Sequence, residues 1–169
     1  MLNILTLLFC ASLALISFYD FKYRALPLYT LAIAFIFSIV GSIYSNGWLV
    51  SLYNAGINSL FVGIQMGLIT LYFSLRSKKP VNIFRDHLGM GDLLFFAVLV
   101  FCFSPVNFIL FIILSGILVL LFYLRSKKEV LIPLAGCLAF FLVIILFFSV
   151  ALTIINPYND LFLIDLLYN

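Results

Sequence analysis

Long apolar runs, separated by short polar breaks, limit this chain to one kind of fold. The runs cover about residues 2–18, 28–45, 48–75, 89–104, 106–124 and 130–155. One helical crossing of a bilayer takes about 20 residues, and most of the runs are close to that length. With 66% hydrophobic and 9% charged residues, the chain is far more apolar than a soluble domain. The sequence therefore predicts an all-α, polytopic membrane protein with about six transmembrane helices. We expect one domain over residues 1–169 and no separate soluble domain.

The basic residues predict how these helices are oriented. All nine Lys and Arg residues fall within 22–24, 76–85 and 125–128. If the first helix runs inward, six crossings place all three clusters on the cytoplasmic side, as the positive-inside rule requires. A single long helix over 92–124 would move the last cluster outside and is rejected. We therefore expect the inner (cytoplasmic) membrane, a retained first helix and both termini outside. Topology also explains the net charge of +3, so no nucleic-acid partner is expected.

Asp20 and Asp92 are two of only six acidic residues, and each stands where an apolar run meets basic residues. In the expected topology Asp20 ends the first helix and Asp92 begins the fourth, both on the cytoplasmic side. An ionisable side chain in a membrane segment is costly and is a functional-site hypothesis by default. The fourth run spans about 24 Å as a helix, less than the roughly 30 Å hydrocarbon core. We expect Asp92 to lie in a sunken pocket that water can reach.

Two neighbouring carboxyl groups can hydrolyse a peptide bond. One takes a proton from water while the other donates a proton to the scissile carbonyl oxygen, so the working pair holds one proton. Gly89-Met90-Gly91 lies directly before Asp92, and glycine lets a backbone turn sharply and lets an extended peptide approach. We interpret Asp20 and Asp92 as a catalytic pair supported by Gly89 and Gly91. Such a pair needs no cofactor and no metal.

Together these residues resemble the prepilin peptidases (type IV leader peptidases), membrane-embedded aspartyl proteases with a Gly-x-Gly-Asp motif. Gly89-Met90-Gly91-Asp92 matches that motif, and a basic stretch with Leu26-Pro27 follows Asp20. Leu131-Ile132-Pro133-Leu134-Ala135-Gly136 is similar to the late Ile-Pro segment of the family, and the resemblance covers about residues 1–150. It implies that Asp20 and Asp92 are catalytic. It also implies that the chain removes the short basic leader of prepilins or pseudopilins, for a type IV pilus or secretion system, at the cytoplasmic face.

The sequence departs from the family pattern at two positions. Leu28 stands where the family often has Asn, and Leu94 stands where it often has Lys. The chain also lacks the cysteine-bearing cytoplasmic insert of the larger, methylating members. The resemblance is therefore to the short, peptidase-only form. Presenilin-type proteases, which share Tyr-Asp and Gly-x-Gly-Asp motifs, are a distant analogy.

Four further residues are candidate neighbours of the substrate or of the acid pair: Lys22, Arg24, His87 and Pro133. His87 is the only histidine, five residues before Asp92, and either tunes the pair or is an ordinary loop residue. Lys22 and Arg24 are topology anchors that could also orient a basic leader.

The third helix carries two groups of packing residues. Ser59, Gly63 and Gly67 have four-residue spacing, which is typical of close helix contacts in membranes. We expect a neighbouring backbone to approach there. Asn54, Asn58 and Gln65 are expected to face protein rather than lipid.

Two other classes of function stay open at this stage. Membrane carboxylates also serve as proton relays, so the chain could be a small transporter or a proton-conducting protein. Both acids lie at one face, however, which argues against a relay across the bilayer. The other alternative is a non-catalytic pilus-assembly factor. The expected partners are prepilin-like substrates and the lipid bilayer, and the oligomeric state is left open.

Overall fold

The computed structural model describes residues 2–80, 89–125, 133–152 and 157–160. Within these residues the chain forms α-helices and no strand, which confirms the predicted fold class. The helices are α1 (Leu2–Tyr23), α2 (Leu28–Asn46), α3 (Trp48–Ser77), α4 (Met90–Leu99), α5 (Pro105–Arg125) and α6 (Leu134–Leu152). Most of their ends lie close to those of the apolar runs, but α1 continues past residue 18 to Tyr23, and α4 ends at Leu99 rather than near Ser104.

The outer faces of the helices are apolar. Leu7, Leu49 and Leu75 are 68%, 80% and 71% exposed, and many similar side chains surround them. An exposed apolar surface of this extent marks contact with a membrane. By length and composition α1, α2 and α3 are each sufficient to cross a bilayer, and the fully described parts of the other helices, Met90–Leu99, Pro105–Leu121 and Leu134–Val150, are shorter apolar segments.

The packing of α1 positions the residues of interest. This helix packs most extensively against α6 and next against α2, while α4 contacts both α2 and α6. Leu13 and Ile16 of α1 are completely buried, as are the small residues Ala135 and Ala139 of α6. Small side chains let helix backbones come close together. The last turn of α1, the first turn of α4 and the first turn of α6 consequently meet at one end of the molecule.

The helical structure is interrupted between Leu99 and Pro105, so α4 and α5 do not form one long helix. Helix α4 has 10 residues, and the turn that follows it leaves backbone carbonyls without helical partners. Asn58 of α3, only 1% exposed, donates its side-chain amide to the carbonyls of Val100 and Phe103 at 3.0 and 2.9 Å. Irregular backbone at membrane depth is tolerated only where protein covers it. The expectation that Asn58 faces protein is confirmed, and so is that for Asn54, which is 8% exposed.

A second group of contacts covers the same break. The Ser104 amide donates to the Pro157 carbonyl at 3.0 Å, and the Ser104 hydroxyl donates to Asp160 Oδ1 at 2.5 Å. The Asn107 backbone amide also donates to Asp160 Oδ1, at 3.3 Å. Asn46, at the end of α2, donates to the Tyr158 carbonyl at 3.0 Å. Residues 157–160 thus join α2 and α5 at the end of α4 that lies away from Asp92.

The small residues of α3 do not make the expected close contact within the described chain. No described atom lies within 4 Å of the position that a Cβ would take at Gly63 or Gly67. Instead they line an open groove of about 620 Å³, together with Ser59 and with Leu93 of α4. Gln65, expected to face protein, is half-buried, and its Oε1 has no hydrogen-bond partner among the described residues.

Candidate active site

Three segments that are distant in the sequence meet at this end of the molecule. Helix α1 carries Asp20 in its last turn, and α4 carries Asp92 in its first turn. Asp20 is 7% exposed and Asp92 is half-buried. Between them lies the start of α6, which follows Pro133. The structure therefore brings together the two acids that the sequence singled out, and it adds a helix terminus to them.

Consecutive backbone amides of α6 each hold one of the carboxylates. The Ala135 amide donates to Asp92 Oδ1 at 2.9 Å, and the Gly136 amide donates to Asp20 Oδ2 at 2.5 Å. Amides in the first turn of a helix have no intrahelical partner, and they lie at its positive end, so they attract anionic groups. Because the donors are neighbours in the chain, bond lengths and hydrogen-bond distances keep the two oxygens less than about 10 Å apart. The two carboxylates are also close enough to repel one another electrostatically.

Gly136 leaves room for Asp20. A Cβ added at Gly136 would lie 2.9 Å from both Cβ and Oδ2 of Asp20, a separation that real Cβ atoms do not adopt. A side chain at this position would therefore displace the carboxylate or the helix. The absence of a side chain is what allows α1 and α6 to approach closely enough for the Gly136 amide to reach Asp20.

The two glycines before Asp92 also let neighbouring groups come close to the backbone at the start of α4. A Cβ added at Gly91 would lie 2.8 Å from Leu26 Cδ1, so this glycine lets the Leu26-Pro27 segment pack on the start of α4. Gly89 caps α4 with φ −68° and ψ 143°, values open to any residue. Its carbonyl accepts the Asp92 amide at 3.0 Å, and a Cβ added at Gly89 would lie 3.2 Å from Asp92 Oδ2. The described backbone at Gly89 therefore needs no conformation that is specific to glycine.

The two basic candidates of the sequence analysis have different surroundings. Arg24 lies near enough to attract the Asp20 carboxylate. It ends α1 in the left-handed conformation, with φ 50°, and its amide donates to the Asp20 carbonyl at 3.0 Å. Lys22 is exposed, and its Nζ lies 5.2 Å and 5.1 Å from the ring centroids of Phe18 and Tyr23, within the range of a cation–π contact.

The other candidates fall in or near the loops. Pro133 is half-buried, and its carbonyl accepts the Cys137 amide at 3.1 Å, so it opens the helix whose amides hold the acids. His87 lies outside the described residues. No group of three or more His, Cys, Asp or Glu side chains that could hold a metal comes together in the described ranges.

The sequence assigned no role to Ala135 or Gly136, although both lie in the segment from Leu131 to Gly136 that is similar to the Ile-Pro segment of the family. The available signal was a proline followed by small residues at the start of an apolar run. A pattern of that kind predicts a helix N-terminus close to another backbone. It does not indicate which side chains that N-terminus will bind.

The two departures from the family pattern lie on one surface. Leu28 of α2 and Leu94 of α4 line a common crevice of about 250 Å³, together with Leu31, Phe35 and two alanines. The crevice is lined by apolar residues alone. Both leucines thus extend an apolar surface between α2 and α4.

One comparison with known proteins found a match. The sequence pattern of the Type IV leader peptidase family matches residues 7–124, a range that includes Asp20 and the tetrad ending at Asp92 and stops before α6. No individual curated protein and no solved structure matches the chain. The family match covers well over half of the chain, and the apolar helices fit a membrane-bound peptidase. This chain therefore belongs to the Type IV leader peptidase family.

Proposed function

We propose that this protein is a membrane aspartyl endopeptidase that removes the short basic leader from prepilin or pseudopilin precursors. Asp20 and Asp92 are its catalytic pair. The observation that supports the pair best is the binding of both carboxylates by consecutive amides, those of Ala135 and Gly136. Membership of a peptidase family supports the reaction class.

In the proposed reaction the two carboxyl groups share one proton. The ionised carboxyl takes a proton from a water molecule, and the oxygen of that water attacks the scissile carbonyl carbon. The protonated carboxyl donates its proton to the carbonyl oxygen. The tetrahedral intermediate then collapses and the C–N bond breaks. The leaving amine takes a proton from the carboxyl group that had accepted one from water, and a hydroxyl group of the intermediate returns a proton to the other carboxylate, which restores the singly protonated pair. No metal and no cofactor takes part.

The orientation of the chain follows from its charges. The acid pair lies beside the basic cluster at 22–24, and the positive-inside rule places such clusters in the cytoplasm. The site therefore opens to the cytoplasmic face of the inner membrane, with both chain termini outside. A prepilin whose apolar stem lies in the bilayer would present its leader junction at this level.

The described structure lends no support to proton conduction. Its three acidic residues are Asp20 and Asp92 at one end and Asp160 at the other. Between them, Phe95 and Leu99 of α4 are completely buried and apolar. A proton relay needs ionisable groups or water along its path.

The test uses Asp20→Asn and Asp92→Asn, each co-expressed with a tagged prepilin in bacteria that lack their own leader peptidase. We expect each variant to lose cleavage by about 10²–10⁴-fold or more, because a carboxamide cannot transfer the proton. Leader loss is followed on a gel, and the new N-terminus is identified by mass spectrometry.

Asp160→Asn is the matched control, because it makes the same chemical change at the other end of α4 and keeps an acceptor for Ser104. It should cleave the prepilin like the parent protein. Normal cleavage by either Asp20→Asn or Asp92→Asn would refute the acid pair. A prepilin left intact by the parent protein would refute the substrate class.

A further inference from the structure

We infer that the start of α6 is a positioning device for the acid pair, in which the Ala135 amide and Gly136 set the separation of Asp92 and Asp20. The inference deepens the proposed function and rests on it. In this role neither residue touches the substrate. Each acts through the carboxylate that it holds.

One short piece of backbone sets the distance between the two acids. Asp20 and Asp92 belong to different helices, yet their carboxylates accept from amides that are only three covalent bonds apart. Bond lengths are fixed, and both amides belong to the same helix, so the spacing of the donors cannot change while α6 stays helical. Hydrogen bonds to ionised acceptors are also stronger than those between neutral groups. The positions of both carboxylates are therefore fixed relative to the same rigid segment of backbone.

The Asp20 side chain is confined from two sides. The Gly136 amide holds Oδ2, and the bare Cα of Gly136 leaves only enough room for Cβ, Cγ and Oδ2 of the same side chain. Asp20 is itself 7% exposed, so it has little space in which to adopt another rotamer. A methyl group at position 136 would have to move either this carboxylate or α6.

Helix α6 is itself held in place by its packing. Ala135, Ala139 and Leu142 are completely buried, and α6 makes its most extensive contact with α1, the helix that carries Asp20. A packed core does not deform continuously, so the start of α6 keeps its place relative to both acids. Its first-turn amides need partners outside the helix, and here the carboxylates supply them.

The main test is Gly136→Ala in the purified full-length protein, assayed with the tagged prepilin. We expect kcat to fall by about 10²-fold, the effect of misplacing a reacting group by about 1 Å, while KM stays unchanged because the substrate does not contact Gly136. Gly116→Ala in α5 is the control, since no atom of the described residues lies within 4 Å of a Cβ at that position. It should leave both constants unchanged. Melting temperatures in detergent measure the folding of each variant.

A second variant tests the Ala135 amide without changing any side chain. Lactic acid incorporated in place of Ala135 converts the amide into an ester, which removes the donor to Asp92 Oδ1 and keeps the methyl group. The corresponding hydroxy acid in place of Leu134 is the control, because that amide holds neither acid. We expect kcat to fall for the ester at position 135 alone.

Unchanged kcat in Gly136→Ala, or equal losses for the esters at positions 134 and 135, would overturn the positioning role. If Gly136→Ala fails to fold, the pair of esters decides the question. The two proposals fail separately. Normal cleavage by Asp20→Asn refutes the proposed function, whereas inactive Asn variants beside a fully active Gly136→Ala refute only the inference.

Discussion

Leu26, which lies outside α4, packs against Gly91 at the start of that helix. A Cβ at Gly91 would lie 2.8 Å from Leu26 Cδ1 and 3.4 Å from its Cβ and Cγ, so the two residues are in direct contact. Leu26 precedes Pro27, the N-cap residue of α2, and its position is therefore tied to that helix. The contact fixes the start of α4, and with it Asp92, relative to α1 and α2.

The contact predicts a rescue. Gly91→Ala should destabilise the protein by about 1 kcal/mol, the lower end of the usual cost of overpacking, because the atom nearest the new methyl group is the terminal Cδ1 of Leu26, and it should lower prepilin cleavage because Leu26 is displaced from the start of α4. Leu26→Ala combined with Gly91→Ala should recover part of both losses, because the space left by Leu26 accepts the new methyl group. Melting temperature in detergent and cleavage rate measure the recovery. Strictly additive effects of the two substitutions would show that the contact does not matter.

At the residue scale, the sequence predicted the acids but not the group that holds them. Asp20 and Asp92 stood out because charges are rare in this chain and both lie at the ends of apolar runs. Gly136 carries no such signal, since its importance comes from the approach of a residue 116 positions away. The role of a backbone amide depends on which side chain reaches it, and that is a property of the packing.

At the scale of helices, most boundaries followed from apolar runs and basic clusters, and α4 was the exception. The segment from Leu99 to Phe103 is as apolar as the helix before it and contains no helix-breaking residue before Ser104-Pro105. The helix nevertheless ends at Leu99, because Asn58 and residues 157–160 offer the turn hydrogen bonds that replace the helical ones. Long-range contacts of this kind override local pattern and cannot be read from it.

Asn58 should therefore be essential for the turn that ends α4. Asn58→Leu keeps the branched skeleton of four side-chain heavy atoms, with two bulkier methyl groups at its end, and leaves the carbonyls of Val100 and Phe103 without this donor, each in a buried setting. We expect a loss of about 1–3 kcal/mol for each carbonyl left unsatisfied, visible as a lower melting temperature in detergent.

Ser51 is the matched control for Asn58. It lies on the same helix, is also 1% exposed, and its hydroxyl oxygen has no hydrogen-bond partner among the described residues. Ser51→Ala should be neutral or slightly stabilising, since it removes a polar atom that gains nothing from burial. Equal destabilisation by Asn58→Leu and Ser51→Ala would mean that burial, rather than the two hydrogen bonds, determines the stability of the turn.

The molecule as a whole has two polar ends with different tasks. One end joins α1, α4 and α6 through Asp20 and Asp92, and the other joins α2 and α5 to residues 157–160 through Asn46, Ser104 and Asp160. Because consecutive helices run in opposite directions, the end of α1 and the start of α4 lie at the same end of the molecule. The charge pattern of the sequence predicted this placement of the two acids. The closure of the far end was not predicted, because residues 157–160 show no pattern that indicates a partner.

The orientation of these two ends in the membrane gives the last prediction. Lys22→Cys lies at the acid end and Ser45→Cys at the far end, and both positions are exposed. If the acid end faces the cytoplasm, a membrane-impermeant maleimide should label Ser45→Cys in cells with a permeabilised outer membrane. It should label Lys22→Cys only after the inner membrane is opened. The parent protein, whose Cys102 is 1% exposed and whose Cys10 and Cys137 are half-buried within helices, measures the background. The reverse labelling pattern would place the acid pair outside the cell. There it could not act at the cytoplasmic end of a prepilin stem, and the proposed leader cleavage would have to be abandoned even if both acids proved catalytic.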